Sequence, residues 1–197
     1  MDAPKQLHFD LFFREAAPGL YWKLAEGGVT LDAEGLAWTG DAGERRYRYS
    51  DLVSIQLCTT IGGKEGNIYF SVLRFRDGTV VTFYSGTARG ATDDRAAGIY
   101  ADFVRILHAR LNTLKPVGIE YKAGQTATRY YVVLGAVIVL ICTFVVLPFA
   151  LLVIFREWQA LIFTFVGAGF SWPMWRLAQA SRPRSYSPDA VPEDVVP

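Results

Sequence analysis

The spacing of apolar residues changes several times along this 197-residue chain, and each change predicts a different kind of element. Within residues 1–18, Leu7, Phe9, Leu11, Phe12 and Phe13 form an apolar patch that reads as an edge strand or a short amphipathic element lying on a domain or a bilayer. From Gly19 to Tyr84 short β-prone runs alternate with turn residues, predicting strands over 20–25, 29–31, 36–39, 45–49, 53–60, 67–75 and 79–84. Asp77-Gly78 supplies the positive φ values of a two-residue hairpin turn. Such a turn would pair Phe75 with Val80, Leu73 with Thr82 and Val72 with Phe83, with bulk on both faces. Residues 92–114 then take a helical period. Ile99, Phe103, Ile106, Leu107, Leu111 and Leu114 form the stripe with Tyr100 beside it, Thr92 is a cap, and Pro116 closes the helix.

Residues 130–155 break every period, since apolar side chains run on without an ionisable group beyond Tyr130 and Tyr131. About 20 residues cross the ~30 Å hydrocarbon core, so this segment predicts a membrane helix. Its eighteen Leu, Ile, Phe and Val residues favour insertion by roughly 5 to 10 kcal/mol before polar and end corrections. A second apolar segment, 158–178, follows after Arg156 and Glu157 and predicts the return arm of a transmembrane helical hairpin. It holds only seven such residues, and Gly167, Ala168, Gly169 and Ser171 would let the first helix approach closely. Pro148 predicts a kink in the first helix. The tail, 179–197, carries prolines at 183, 188, 192 and 197 and is expected to be extended or disordered.

Charge adds an orientation. Lys115, Lys122, Arg129, Arg176, Arg182 and Arg184 flank the outer ends of the two segments, against Arg156 alone at the turn, which predicts both termini in the cytoplasm. Residues 1–122 balance fifteen basic against fifteen acidic side chains, which excludes a nucleic-acid binder by charge. Cys58 falls in a predicted strand and Cys142 in the first span, a pair of unpaired thiols suited to a reducing compartment. The start, MDAPKQLHFD, lacks the features of a cleaved signal peptide, and fifteen arginines against five lysines suggest a GC-rich bacterial genome and an inner-membrane home.

Seven short strands followed by one long amphipathic helix suggest an α+β fold: a strongly bent antiparallel sheet or barrel capped by that helix, over residues 19–122. This order, with Tyr47-x-Tyr49-Ser50-Asp51-Leu52-x-x-Ile55 leading into a strand, resembles the bacterial pleckstrin-homology-like domains tethered to membrane helices. The resemblance implies a recognition or assembly module without catalytic residues. Where phosphoinositide-binding members of that fold place lysine and arginine in the first hairpin, this chain has Asp32 and Glu34, which argues against headgroup recognition.

The remaining constellations are weak as chemistry. The loop around Gly62-Gly63-Lys64-Glu65-Gly66 lacks the spacing of a phosphate-binding loop and reads as an ordinary hairpin loop. Arg46 and Arg48 share one face of a predicted strand; with Lys64 they could meet anionic headgroups, or they could simply be solvated. His8 and His108 have no metal-ligand spacing around them, and no cofactor, metal or small-molecule substrate is inferred. Tyr186 and the tail valines are more apolar than a solvating tail needs and could be a peptide ligand for another protein. The expected function is a non-enzymatic assembly or accessory subunit of a membrane complex, meeting other membrane proteins or itself through Gly167, Ser171, Tyr186 and the domain surface. A lipid-binding sensor and a transporter component are the alternatives.

Overall fold

The computed structural model describes residues 6–16, 24–40, 43–61, 66–87, 91–156, 158 and 160–197. The chain forms two compact units, one of Met1–Gly124 with Arg184–Pro197 and the other of Gln125–Pro183. The first is mixed α+β and the second is helical.

In the first unit, β1 (Leu7–Phe9), β3 (Val29–Leu31), β4 (Gly35–Gly40) and β5 (Gly43–Arg48) make a four-stranded sheet in the order β1-β3-β4-β5. A six-stranded sheet uses β2 (Phe12–Arg14), β6 (Leu52–Ile61), β7 (Asn67–Phe75), β8 (Val80–Tyr84), β9 (Glu120–Ala123) and β10 (Arg184–Ser185). Its order is β10-β9-β6-β7-β8-β2, and β9 lies parallel to β6 while the other neighbours are antiparallel. Neither sheet closes, so the expected barrel is corrected to two open sheets. The N-terminal segment explains part of this: β1 joins the first sheet and β2, two residues later, joins the second. The strand expected at 20–25 falls mostly outside the described residues, with Ala25 bridging Phe13.

The β7–β8 hairpin also departs from expectation. Phe75 N–H donates to Thr79 O at 2.9 Å and Gly78 N–H to Phe75 O at 3.0 Å, leaving a three-residue loop, Arg76-Asp77-Gly78, with Gly78 at φ 88°. That is a turn followed by a left-handed glycine, and it sets Leu73 opposite Val81 and Val72 opposite Thr82, one residue from the two-residue register. Both faces are buried: Leu73, Phe75, Val81 and Phe83 belong to the main core, and Phe70, Val72 and Tyr84 to a second cluster.

Helix α1 (Asp94–Leu114) is capped by Asp93, not Thr92; the Asp93 carboxylate accepts from the Arg95 N–H at 2.9 Å. Its buried stripe is Tyr100, Phe103, Val104, Leu107 and Leu111, while Leu114, expected in the stripe, is 51% exposed. The stripe joins the two sheets. Phe103 meets Phe9 of β1 edge-on at 5.7 Å and Phe83 of β8 at 5.3 Å, contacts worth about 0.5–1.5 kcal/mol each beyond area burial.

In the second unit, α2 (Ala127–Ile141), a π-helical turn (Cys142–Val146) and α3 (Leu147–Phe155) form one continuous helix of 29 residues, long and apolar enough to cross a membrane and almost wholly exposed. The π turn has a cause in the sequence. Pro148 lacks an N–H and its ring crowds the Phe144 carbonyl one turn back, and widening the helix just before the proline relieves that crowding. After Arg156, at φ 58°, comes α4 (Ala160–Ala180), with Pro173 inside it. Of the two spanning helices expected, one meets the length and hydropathy of a span among the described residues. Glycine, serine, threonine and proline dilute the apolar residues of α4.

Candidate functional site

A polar and aromatic arrangement forms in the first unit where the C-terminal segment meets α1 and β9. Residues 179–197 were expected to be extended or disordered; from Arg184 on they form a short strand and turns, and this has a physical reason. Their prolines bar a long helix but allow an edge strand and turns, and their apolar side chains find a seat. Arg184 and Ser185 pair with Ala123 and Lys122, Ser187 bridges Ala190, and a 3-10 turn spans Glu193–Val195. Val195 is fully buried, and Tyr186, Val191 and Val196 pack on the main core.

At the centre of this seat His108 is buried with both ring nitrogens engaged. Its Nδ1 lies 2.8 Å from Val104 O, which can only accept, so Nδ1 carries the proton. Burial pushes the imidazole below its ordinary range against the pull of the Val104 carbonyl, so the ring is neutral. Nε2 therefore accepts from the Tyr186 hydroxyl at 2.7 Å. Burial, and secondarily the neighbouring Tyr121, pushes the Tyr186 hydroxyl well up, so it keeps its hydrogen. Tyr121 of β9 completes the cluster, its ring 5.7 Å from Tyr186 and 6.0 Å from His108. Asn112 donates to Asp189, and Arg184 pairs with Asp194. Beside the seat runs an open groove of about 700 Å³ between Val104, Arg105 and Asn112 of α1 and Pro192 and Val196 of the segment. This arrangement clamps a peptide segment through one hydrogen bond to a buried histidine and a set of apolar contacts.

Tyr186, singled out from sequence, is thus a half-buried anchor. Arg46 and Arg48 do share a face of β5, but Arg46 pairs with Asp32, leaving Arg48 exposed and without an ion pair among the described residues. Lys64 lies outside the described residues. Asp32 organises the corner beside β5. Burial raises its pKa, but the amides of Glu34 and Gly35 and the Arg46 guanidinium together hold it below the ordinary value. Its backbone carbonyl accepts from Arg110 and, at 3.1 Å, from the Tyr49 hydroxyl. In the helical unit, a Cβ on Gly167 would overlap the Phe144 carbonyl, and Ser171 is buried with no hydrogen-bond partner for its Oγ. Of the described candidates in the first unit, neither Arg46 nor Arg48 lines the Tyr186 seat.

Neither His108, expected only to lack metal-ligand spacing, nor Tyr121 was singled out from the sequence. The available signals were the i, i+4, i+7 spacing of Val104, His108 and Leu111, and the alternation Ile119, Tyr121, Ala123. Among the described residues no group of three or more His, Cys, Asp or Glu could hold a metal ion. No family model matches the chain, and no curated protein matches it.

Proposed function

We propose that this chain is a membrane-anchored, non-enzymatic interaction module of pleckstrin-homology-like type that assembles with other membrane proteins, or with itself, at a bacterial inner membrane. One observation carries the anchoring. The two ends of the helical unit lie side by side, because Gln125 N–H donates to Ser181 O at 2.9 Å. The strands from which the chain leaves and to which it returns, β9 and β10, pair with each other as well. A 29-residue helix is about 43 Å long, and a chain that must come back to its starting point needs a return arm, which the last residues before β10 help to complete. The 21 residues of α4, about 31 Å, supply one that matches the hydrocarbon core. This supports α4 as the second span despite its lower hydropathy, with both termini on the cytoplasmic, positively charged side.

Reporter fusions test the topology. A fluorescent protein after Pro197 is expected to be bright and a phosphatase there silent, whereas a phosphatase inserted after Arg156 is expected to be active. A silent phosphatase at Arg156 overturns the two-span reading. Assembly is tested by purification in mild detergent with mass determination. A stoichiometric membrane partner or a defined homo-oligomer is expected, and a bare monomer overturns the proposal.

A further inference from the structure

The chain passes between its two units twice, from Gly124 to Gln125 and from Pro183 to Arg184, and the two crossings are held very differently. The outgoing one is fixed in a sheet. β9 pairs with β6 on one side and with β10 on the other, which makes it an interior strand. Gly124, just past its end, is tied three times: its N–H donates to Leu57 O at 2.8 Å, and its carbonyl accepts from Gln56 Nε2 at 2.8 Å and from Cys58 Sγ at 3.0 Å.

The returning crossing rests on an edge. β10 has two residues, and β9 is its only described neighbour. Beyond it the Tyr186 N–H donates to Tyr121 O at 3.2 Å, and the Tyr186 hydroxyl donates to His108. So short an edge opens more readily than an interior strand, because fewer ladder bonds must break together.

Between α4 and this edge lie Ser181, Arg182 and Pro183, which leave little slack. Arg182 N–H donates back to Gln179 O at 3.2 Å, and Pro183 has a fixed φ and disfavours helical backbone at Arg182. Three residues reach at most about 10 Å even when extended. Ser181 O meanwhile accepts from the Gln125 N–H at the start of the helical unit. A movement of the last turn of α4 away from the first turn of α2 therefore pulls on β10, while Gly124 holds the α2 side in place.

We infer that the C-terminal segment is a strap worked by the helical unit. With the two helix ends together the strap stays seated on α1 and β9; when they part, it lifts and uncovers His108, Tyr121 and the groove side of α1. The coupling is reciprocal, as linkage between two equilibria requires, so whatever seats the strap also holds the helix ends together. This strap rests on the hairpin of the assembly reading above and names what switches the domain surface in it. The bland counterpart is a segment that only completes the core, and such a segment would not respond to the helices.

The test uses the full chain in lipid nanodiscs with Val137→Cys and Ser171→Cys, two positions buried within the helical unit, in a Cys142→Ser background that keeps the buried Cys58. Oxidation links the helices, and amide hydrogen exchange of residues 184–196 is the readout. The link is expected to slow exchange at Tyr186 and along the segment by about fivefold or more, the lower end of coupling between sites, and to leave the β7 amides unchanged. Gly167→Ala without the link is expected to speed it. A flexible insert of about six glycine and serine residues after Pro183 should abolish the response to the link, since slack no longer passes the displacement on. Equal exchange with and without the link overturns the inference, and so does a response that survives the insert. The two failures are distinguishable: a pair that links without changing the segment leaves the hairpin standing and removes the strap, whereas a pair that does not link removes the hairpin beneath it.

Discussion

Tyr186 donates its phenolic hydrogen to Nε2 of His108 at 2.7 Å, across 78 residues of sequence, and so ties the C-terminal segment to α1. The histidine end of the bond is buried and the tyrosine end half-buried. Removing the donor with Tyr186→Phe leaves an imidazole nitrogen without a partner, while keeping the ring contacts with His108 and Tyr121. An unsatisfied buried acceptor costs about 1–3 kcal/mol. Denaturant unfolding of the full chain in nanodiscs is expected to show a loss of that size, with exchange of the 184–196 amides accelerating more than that of the β7 amides. Equal acceleration everywhere would mean that the hydroxyl is not what holds the segment.

The same site makes the segment sensitive to acid. His108 is held neutral, with a folded-state pKa below the ordinary 6.5 because of burial. Protonation is thus harder in the folded than in the unfolded chain. The stability this group contributes is fully present above about pH 6.5 and is lost as the pH falls below 6.5 toward the folded value. Between pH 6.5 and 5.5 the wild-type segment is expected to exchange progressively faster, and a His108→Gln variant should show a flatter profile. A wild-type profile that is flat across this window would remove His108 from the linkage.

Local pattern carried much of this fold. The strands over 29–31 and 67–75 and the end of α1 at Leu114 fall where periodicity puts them, because each depends on neighbours close in sequence. What periodicity does not encode is which distant element covers which face. The parallel placement of β9 against β6 and the seat of Tyr186 on His108 both join residues more than sixty positions apart. The excess apolar character of Tyr186, Val191, Val195 and Val196 was visible in the tail, but α1 and β9, their cover, could not be read from the tail itself. In the candidate site, alternation gave Arg46 and Arg48 a common face, while the capture of Arg46 by Asp32 depended on the turn between β3 and β4.

Two glycines test how firmly backbone conformation is set in the domain. Gly78 has φ 88° in the β7–β8 loop with open space around it, so Gly78→Ala meets backbone strain without a steric clash. It is expected to cost about 1 kcal/mol. Gly98 is an exposed position within α1, again in open space, and Gly98→Ala is expected to add about 0.5–1 kcal/mol through the better helix propensity of alanine. Equilibrium unfolding of both variants should move in opposite directions. A two-residue turn at this hairpin, or a α1 that is not helical at Gly98, would break that opposition.

In the helical unit, Gly167 and Gly169 make a sharper contrast. A side chain at Gly167 would run into the Phe144 carbonyl, whereas nothing lies within 4 Å of a Cβ at Gly169. Phe144 sits in the π turn just before Pro148, and the lack of a side chain at Gly167 lets α4 come close to its carbonyl. A close backbone contact of this kind is worth about 0.5–1 kcal/mol. Gly167→Ala should therefore loosen α4 from the first helix, and Gly169→Ala should not. Cysteine pairs placed at Val137 and Ser171, both buried within this unit, give the readout in a Cys58→Ser, Cys142→Ser background. Cross-linking is expected to fall severalfold with Gly167→Ala and to stay at the parent level with Gly169→Ala. Equal behaviour of the two variants would show that the helices do not meet at Gly167.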